Sequence, residues 1–192
     1  MRITKEPEVR KKEIIDAAMA LFEEKGIQKT SMSDIAKRLS VAKGLLYYYF
    51  KSKDELLSFV IDEFSKGVDE TIEGIMENDD LGFHGKLGAI ISLFFSSIAE
   101  HPAMMNISPG NPGVFDYIKT RLSDIAIHHA KVLMAEGEKE GFVSIRHPEY
   151  MLKILIGGIA DLYVEGVTDQ RIHRTLIEQV LGLEEGKILL QG

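Results

Sequence analysis

Lys43, Gly44, Tyr47 and Tyr48 fall in one short run, Lys43-Gly44-Leu45-Leu46-Tyr47-Tyr48-Tyr49-Phe50. A lysine can donate to guanine O6 or N7, or to a phosphate. A glycine has no side chain to collide, so backbone can approach a surface closely there. Three consecutive tyrosines point about 100° apart on a helix, so they cannot all be core. Leu46 and Phe50, four apart, are the inward pair. Tyr47 and Tyr48 are then left to offer hydroxyls to phosphates or bases. Lys51-Ser52-Lys53 follows and opens the next helix. Helix N-termini carry unpaired N–H groups and partial positive charge, so two lysines there suit a phosphate. Thr30 and Ser31 stand at the start of an earlier helix and suit a phosphate for the same reason. The chemistry these residues share is contact with duplex nucleic acid.

The flanking pattern is helical. Ile14, Ala17, Ala18, Leu21 and Phe22 follow the i, i+3, i+4, i+7, i+8 spacing of one helix face. Pro7 suits its start and Gly26 its stop. Ser31-Met32-Ser33-Asp34 has capping-box spacing, with Asp in place of Glu or Gln. It predicts a short helix with Ile35, Ala36 and Leu39 inside. A break at 40–42 leads to a second short helix over 43–50. Two short helices joined by a tight turn beside a basic stretch describe a helix-turn-helix, whose second helix enters the major groove. Ser52-Lys53-Asp54-Glu55 is a fuller capping box and opens a helix over 52–66. Further helices are predicted around the stripe Leu87, Ile90, Ile91, Phe94, Phe95 and Ile98, then over 114–139, 150–167 and 170–183. In the helix over 114–139, Ile118, Leu122, Ile125, Val132 and Leu133 are expected to point inward. No alternating strand pattern persists, so the fold class is all-α.

Charge is divided unevenly along the 192 residues. Residues 1–53 hold 12 Lys/Arg and 7 Asp/Glu, a balance of +5. Residues 54–192 hold 11 and 23, a balance of −12, within a total of −7. A basic head can meet phosphates while an acidic body is repelled from them. The expected domains are therefore a DNA-binding head at 1–53 and a second domain at 54–192. No cysteine is present, which excludes disulfides, thiolate metal sites and cysteine nucleophiles. The apolar run 87–99 is too short to cross a bilayer. No signal peptide is visible at the charged N-terminus, and the expected location is cytoplasmic. Arg2, Lys5, Arg10, Lys11 and Lys12 could form a minor-groove or phosphate arm, although Glu6, Glu8 and Glu13 interleave them.

Over 26–56 the ordered pieces D-I-A (34–36), V-x-K-G-x-L-Y-x-Y-F (41–50) and K-x-K-x-x-L (51–56) resemble the DNA-binding signature of the TetR family of regulators. The resemblance covers roughly 8–60. It implies an all-helical homodimer with a three-helix N-terminal reading head and a C-terminal helical body. It further implies that the body holds a small-molecule pocket and that ligand binding releases the operator. Lys43, Gly44 and Tyr47 match the family's groove-facing positions. Thr30, Tyr48 and Lys53 match its phosphate contacts, and Ser31 and Lys51 join them from the helix-terminus argument. Three positions depart from the pattern. Ala42 replaces a Ser or Thr cap, Leu45 replaces a small polar residue, and Tyr48 stands where His is frequent. Leu45 keeps only an apolar contact to a thymine methyl.

The acidic body offers less. Phe94, Phe95, Ile98, Met104, Met105, Phe115, Ile118 and His129 surround a Pro/Gly-broken segment, a mix that suits an apolar ligand pocket and equally a plain core. His128 and His129 diverge on a helix and do not chelate together. No metal site or other cofactor is expected. No Ser/His/Asp spacing, paired-carboxylate motif or Walker sequence supports an enzyme. The helix over 150–167 is apolar nearly all round and must be covered on both sides. Ile154, Gly158 and Leu162, with Leu176 and Val180 of the last helix, are the expected two-fold interface. A two-fold dimer needs a near-palindromic operator. The reading is a DNA-binding homodimer, most simply a ligand-released repressor. The alternative is a ligand-independent regulator or an activator acting through a protein partner.

Overall fold

The computed structural model describes residues 6–101 and 112–190, with the side chains of 112–115 outside that description. Eight helices and no strand occur among the described residues. They are α1 (Pro7–Lys25), α2 (Met32–Arg38), α3 (Lys43–Tyr49), α4 (Lys53–Met76), α5 (Phe83–Glu100), α6 (Pro112–Lys139), α7 (Pro148–Val164) and α8 (Gln170–Leu181). The described residues divide into two compact units, one within Met1–Gly67 and His101–Ile118, the other within Val68–Glu100 and Lys119–Gly192.

In the first unit α1 packs on α2 and α2 on α3. Pro7 opens α1, where its missing N–H costs nothing. Gly26 closes α1 at φ +83°, a conformation that strains any side chain. Ile14, Ala18 and Phe22, spaced by helical turns, are fully buried, as are Ile35 of α2, Leu46 of α3 and Leu56 of α4. The capping box at α2 forms as expected. Ser31 Oγ accepts the Asp34 amide at 3.2 Å, and Asp34 accepts the Ser31 amide at 2.9 Å. The Ser31 hydroxyl also donates to that carboxylate, and these bonds hold the Asp34 carboxyl below the usual carboxylate range. The turn between α2 and α3 puts Ser40 at φ +53°, with the Val41 amide donating to the Ala36 carbonyl at 3.0 Å.

Two expectations about helices are corrected. The helix expected over 52–66 continues to Met76, because Ile72 supplies a further buried turn beyond Gly67. In α6 Leu133 is fully buried but Val132, its neighbour, is exposed, since adjacent helical residues point about 100° apart.

The second unit has its own core, including Phe83, Leu87 and Phe95 of α5, Leu133 of α6, Leu152 of α7 and Ile177 of α8. Ile188, beyond the last helix, is buried in it. Glu178 holds that final segment. Its carboxylate accepts the Gly186 amide at 3.1 Å and the Ile188 amide at 2.9 Å, and the residue is 1% exposed. Two charge-assisted bonds to N–H groups make this buried carboxylate tolerable. Gly88 lets the segment lie close on α5, for a Cβ there would sit 2.2 Å from the Leu189 carbonyl oxygen. No described helix is long and apolar enough to cross a membrane.

Candidate nucleic-acid interface

α3 separates its side chains by face. Leu46 and Phe50 are fully buried, whereas Lys43, Gly44, Tyr47 and Tyr48 are exposed. Tyr48 is 80% exposed and meets Tyr49 edge to face at 5.1 Å. The Lys43 ammonium lies 5.5 Å from the Tyr47 ring centroid, one turn along the same surface. Burying an aromatic ring is favourable, so two exposed tyrosines forgo that gain, and aromatic residues are enriched at contact surfaces. Ala42 gives α3 no side-chain cap. Nothing lies within 4 Å of where a Gly44 Cβ would be, so that backbone is open to an incoming surface. Leu45 is half-buried.

The phosphate set divides. Lys51 is exposed. Ser31 is exposed, but its hydroxyl is committed to the capping box. Lys53 is half-buried and donates its ammonium to the Ile27 carbonyl. Burial lowers its pKa. An ammonium has three donors, so two remain for a phosphate. Thr30 is a correction. It is 2% exposed, with its hydroxyl 2.9 Å from the Gly26 carbonyl oxygen and 3.1 Å from that of Leu21. Its single proton is spent closing the loop after α1, and its side chain cannot reach a phosphate.

The expected N-terminal arm is also corrected where it is described. The Arg10 guanidinium bonds Glu13 at 2.8 Å, and the Lys12 ammonium bonds Glu63 at 2.9 Å and Asp16 at 3.2 Å. The Lys11 ammonium sits 3.9 Å above the Phe59 ring. These cations brace α1 against itself and α4. Arg2 and Lys5 lie outside the described residues.

The described candidate pocket residues fall in both units. Phe95 is in the second unit's core with half-buried Phe94 beside it, and both rings approach Tyr163 of α7 at 6.1 and 6.0 Å. Phe95 also meets His173 of α8 at 5.1 Å. Ile98 is half-buried on the same helix. His129, 6% exposed, instead pairs through Nε2 with Asp69 of α4 at 2.7 Å. Ile118 is buried in the first unit. Met104, Met105 and the Phe115 side chain lie outside the described residues. No group of three potential metal ligands occurs among the described residues. His173 escaped the sequence reading. It is fully buried, its Nε2 donates to the Val167 carbonyl at 2.5 Å, and its Nδ1 has no partner among the described residues. Its register with Leu176, Ile177, Val180 and Leu181 was the available signal.

The expected interface residues lie outward. Ile154 is 75% exposed and Val180 47%, Gly158 is exposed, and Leu162 and Leu176 are half-buried. Asp161, on the same helix, is ion-paired with Lys119.

A helix-turn-helix whose second helix buries one apolar edge and exposes a lysine and two tyrosines is the reading head of a DNA-binding regulator. Residues 14–59 match the family described as bacterial regulatory proteins, tetR family. The HTH-type transcriptional regulator YvdT of Bacillus subtilis is 29% identical over 170 residues, spanning 87% of this chain and 76% of that protein. The fatty acid metabolism regulator protein of Bacillus subtilis is 36% identical over 89 residues, spanning 45% of this chain and 44% of that one. Among solved structures, RolR in complex with resorcinol superposes with a TM-score of 0.71 at 15% identity, over 96% of each chain. SmeT, the repressor of the Stenotrophomonas maltophilia multidrug efflux pump SmeDEF, gives 0.64 at 18%, over 95% of this chain and 94% of that one. Residues 14–59 thus carry the DNA-binding domain of the TetR family, and the resemblance read over 26–56 falls within it.

Proposed function

We propose that the protein is a homodimeric repressor that binds a near-palindromic operator and is released by a small apolar or amphipathic ligand. The observation that carries the reading is the two-faced α3, with Leu46 and Phe50 fully buried and Lys43, Gly44 and Tyr47 exposed. Lys43, Gly44 and Tyr47 read bases, and Tyr48, Lys51 and Lys53 hold phosphates. Residues 1–53 form the DNA-binding domain and 54–192 the ligand-binding and dimerisation domain.

Two outward apolar surfaces support the dimer. Ile154 on α7 and Val180 on α8 are large, apolar and uncovered within one chain. A second copy laying the same two helices against them would make a four-helix contact and fix the spacing of two heads. The aromatic group Phe94, Phe95, Tyr163 and His173 supports an apolar ligand with a hydrogen-bonding group. RolR, of the same fold, has been solved with resorcinol, and a relative by sequence is named for fatty acid metabolism. Release needs a ligand that favours the body conformation in which the heads are wrongly spaced. A hundredfold loss of operator affinity needs about 2.7 kcal/mol of such coupling.

The test is competition. The protein is bound to its tightest duplex from a random pool, and phenols and fatty acids are titrated in while fluorescence anisotropy is followed. The proposal expects one class to release the DNA and also to raise the melting temperature of the DNA-free protein. A ligand that raises the melting temperature and leaves the DNA bound would refute release.

A further inference from the structure

α3 has only seven residues and no side-chain cap at its start. A helix that short is marginal by itself, so its pose depends on what holds its ends. The first turn of α4 holds both sides of the helix-turn-helix. Lys53 reaches back to the Ile27 carbonyl, in the loop that leads into α2. Glu55 accepts the Lys51 amide at 2.5 Å, in the short joint that leaves α3. The Glu55 amide donates to Ser52 Oγ at 3.0 Å, and the Leu56 amide to the Ser52 carbonyl at 3.2 Å. The joint is therefore closed from both directions, directly after the buried Phe50.

We propose that Glu55 is a positioning residue for operator binding: its carboxylate, by holding the Lys51 amide, sets the angle at which α3 leaves the head. This rests on the DNA-binding reading above and goes beyond it, because that reading gives Glu55 no DNA contact. Charge alone argues the other way. Glu55 is an acidic residue in the first turn of α4, two and four residues after the two lysines assigned to phosphates, and would repel the duplex. Across an exposed surface that repulsion is screened by water and salt. A carboxylate–amide bond that fixes a three-residue joint is local and charge-assisted, so it outweighs the repulsion. The two effects predict opposite signs when the carboxylate is removed.

The experiment compares the full-length protein with Glu55→Ala and Glu55→Gln on the tightest duplex recovered from a random 30-base-pair pool, across a salt series, with circular dichroism confirming equal helix content. The amide oxygen of Gln can still accept the Lys51 N–H. Glu55→Ala is expected to weaken binding about tenfold, and Glu55→Gln to stay within about threefold of the parent. The salt slope is expected to be the same for all three, since no phosphate contact changes. Exchange of the Lys51 amide is expected to be fast in Glu55→Ala and slow in the other two. If Glu55→Ala binds as the parent does, or both variants bind more tightly, or Gln fails to restore affinity, the proposal is overturned while the DNA-binding reading stands. If the parent enriches no duplex, both fall together.

Discussion

The Lys43 ammonium and the Tyr47 ring lie 5.5 Å apart on the exposed side of α3, one helical turn behind one another. Leu46 of the same helix and Phe50, directly after its end, are both fully buried. This places a cation and a phenol together on the side that no core residue needs. Tyr47→Ala is expected to weaken the preferred duplex by about 1–3 kcal/mol and random duplex much less, as loss of a base contact does. Competitive anisotropy with both duplexes measures the difference. Equal losses would make Tyr47 a backbone contact.

Phe50 and Tyr48 make a contrasting pair for stability. Phe50→Ala is expected to cost about 3–5 kcal/mol, because a fully buried ring leaves a cavity. Tyr48→Ala, at an 80% exposed position, is expected to change stability by less than about 0.5 kcal/mol while weakening duplex binding. Urea unfolding of both variants gives the comparison.

Thr30→Val keeps the shape of the side chain and removes the hydroxyl that faces the Gly26 and Leu21 carbonyls. It is expected to destabilise the protein by about 1–2 kcal/mol, since the one proton shared between these carbonyls is lost. The salt slope of DNA binding is expected to stay unchanged. Lys53→Ala is expected to lower that slope by about 0.9, the effect of one phosphate contact, as well as to loosen the loop at Ile27. The two slopes, measured side by side, separate the internal hydroxyl from the phosphate cation.

Ile154 is 75% exposed on α7 and is the most direct handle on self-association. Ile154→Lys would bring like charges into a two-fold contact. The expected result in sedimentation velocity is a monomer with unchanged helix content and DNA affinity reduced to that of a single head. A variant that sediments as the parent does would remove Ile154 from the interface.

Asp169 caps α8, accepting the Arg171 amide at 2.9 Å and its guanidinium at 2.8 Å. The Arg171 side-chain bonds, with the amide bond, hold its pKa at about 2, below the ordinary 3.8. A depressed folded-state pKa stabilises the fold above the unfolded value and stops doing so as pH falls through the folded one. Stability from this group is thus present above about pH 4 and gone near pH 2. Asparagine caps helices as well as aspartate does. Asp169→Asn is therefore expected to melt below the parent at pH 7 and together with it at pH 2, by thermal circular dichroism.

The head was legible because its signals are local. Ser31 and Asp34 are three apart, Leu46 and Phe50 four apart, and each pair meets within one helical turn. What escaped depends on groups distant in the chain or common to every residue. Thr30 reads as a helix-start donor until the loop brings two carbonyls to it. The partners of Glu178 are backbone amides eight and ten residues away, which no side-chain pattern marks. Arg10, Lys11 and Lys12 read as a basic arm, but Glu63 and Phe59, half a hundred residues on, engage two of them. The outward face of Ile154 was legible as apolar excess, since a helix without a polar face needs a cover on each side.

Selection of bound sequences from a random duplex pool tests the central claim most directly. The account predicts an enriched site made of two inverted half-sites, centred about one helical turn or a multiple of it apart, with enrichment abolished by replacing Lys43 and Tyr47 together. Enrichment of no sequence, or of one that survives that double replacement, would contradict it.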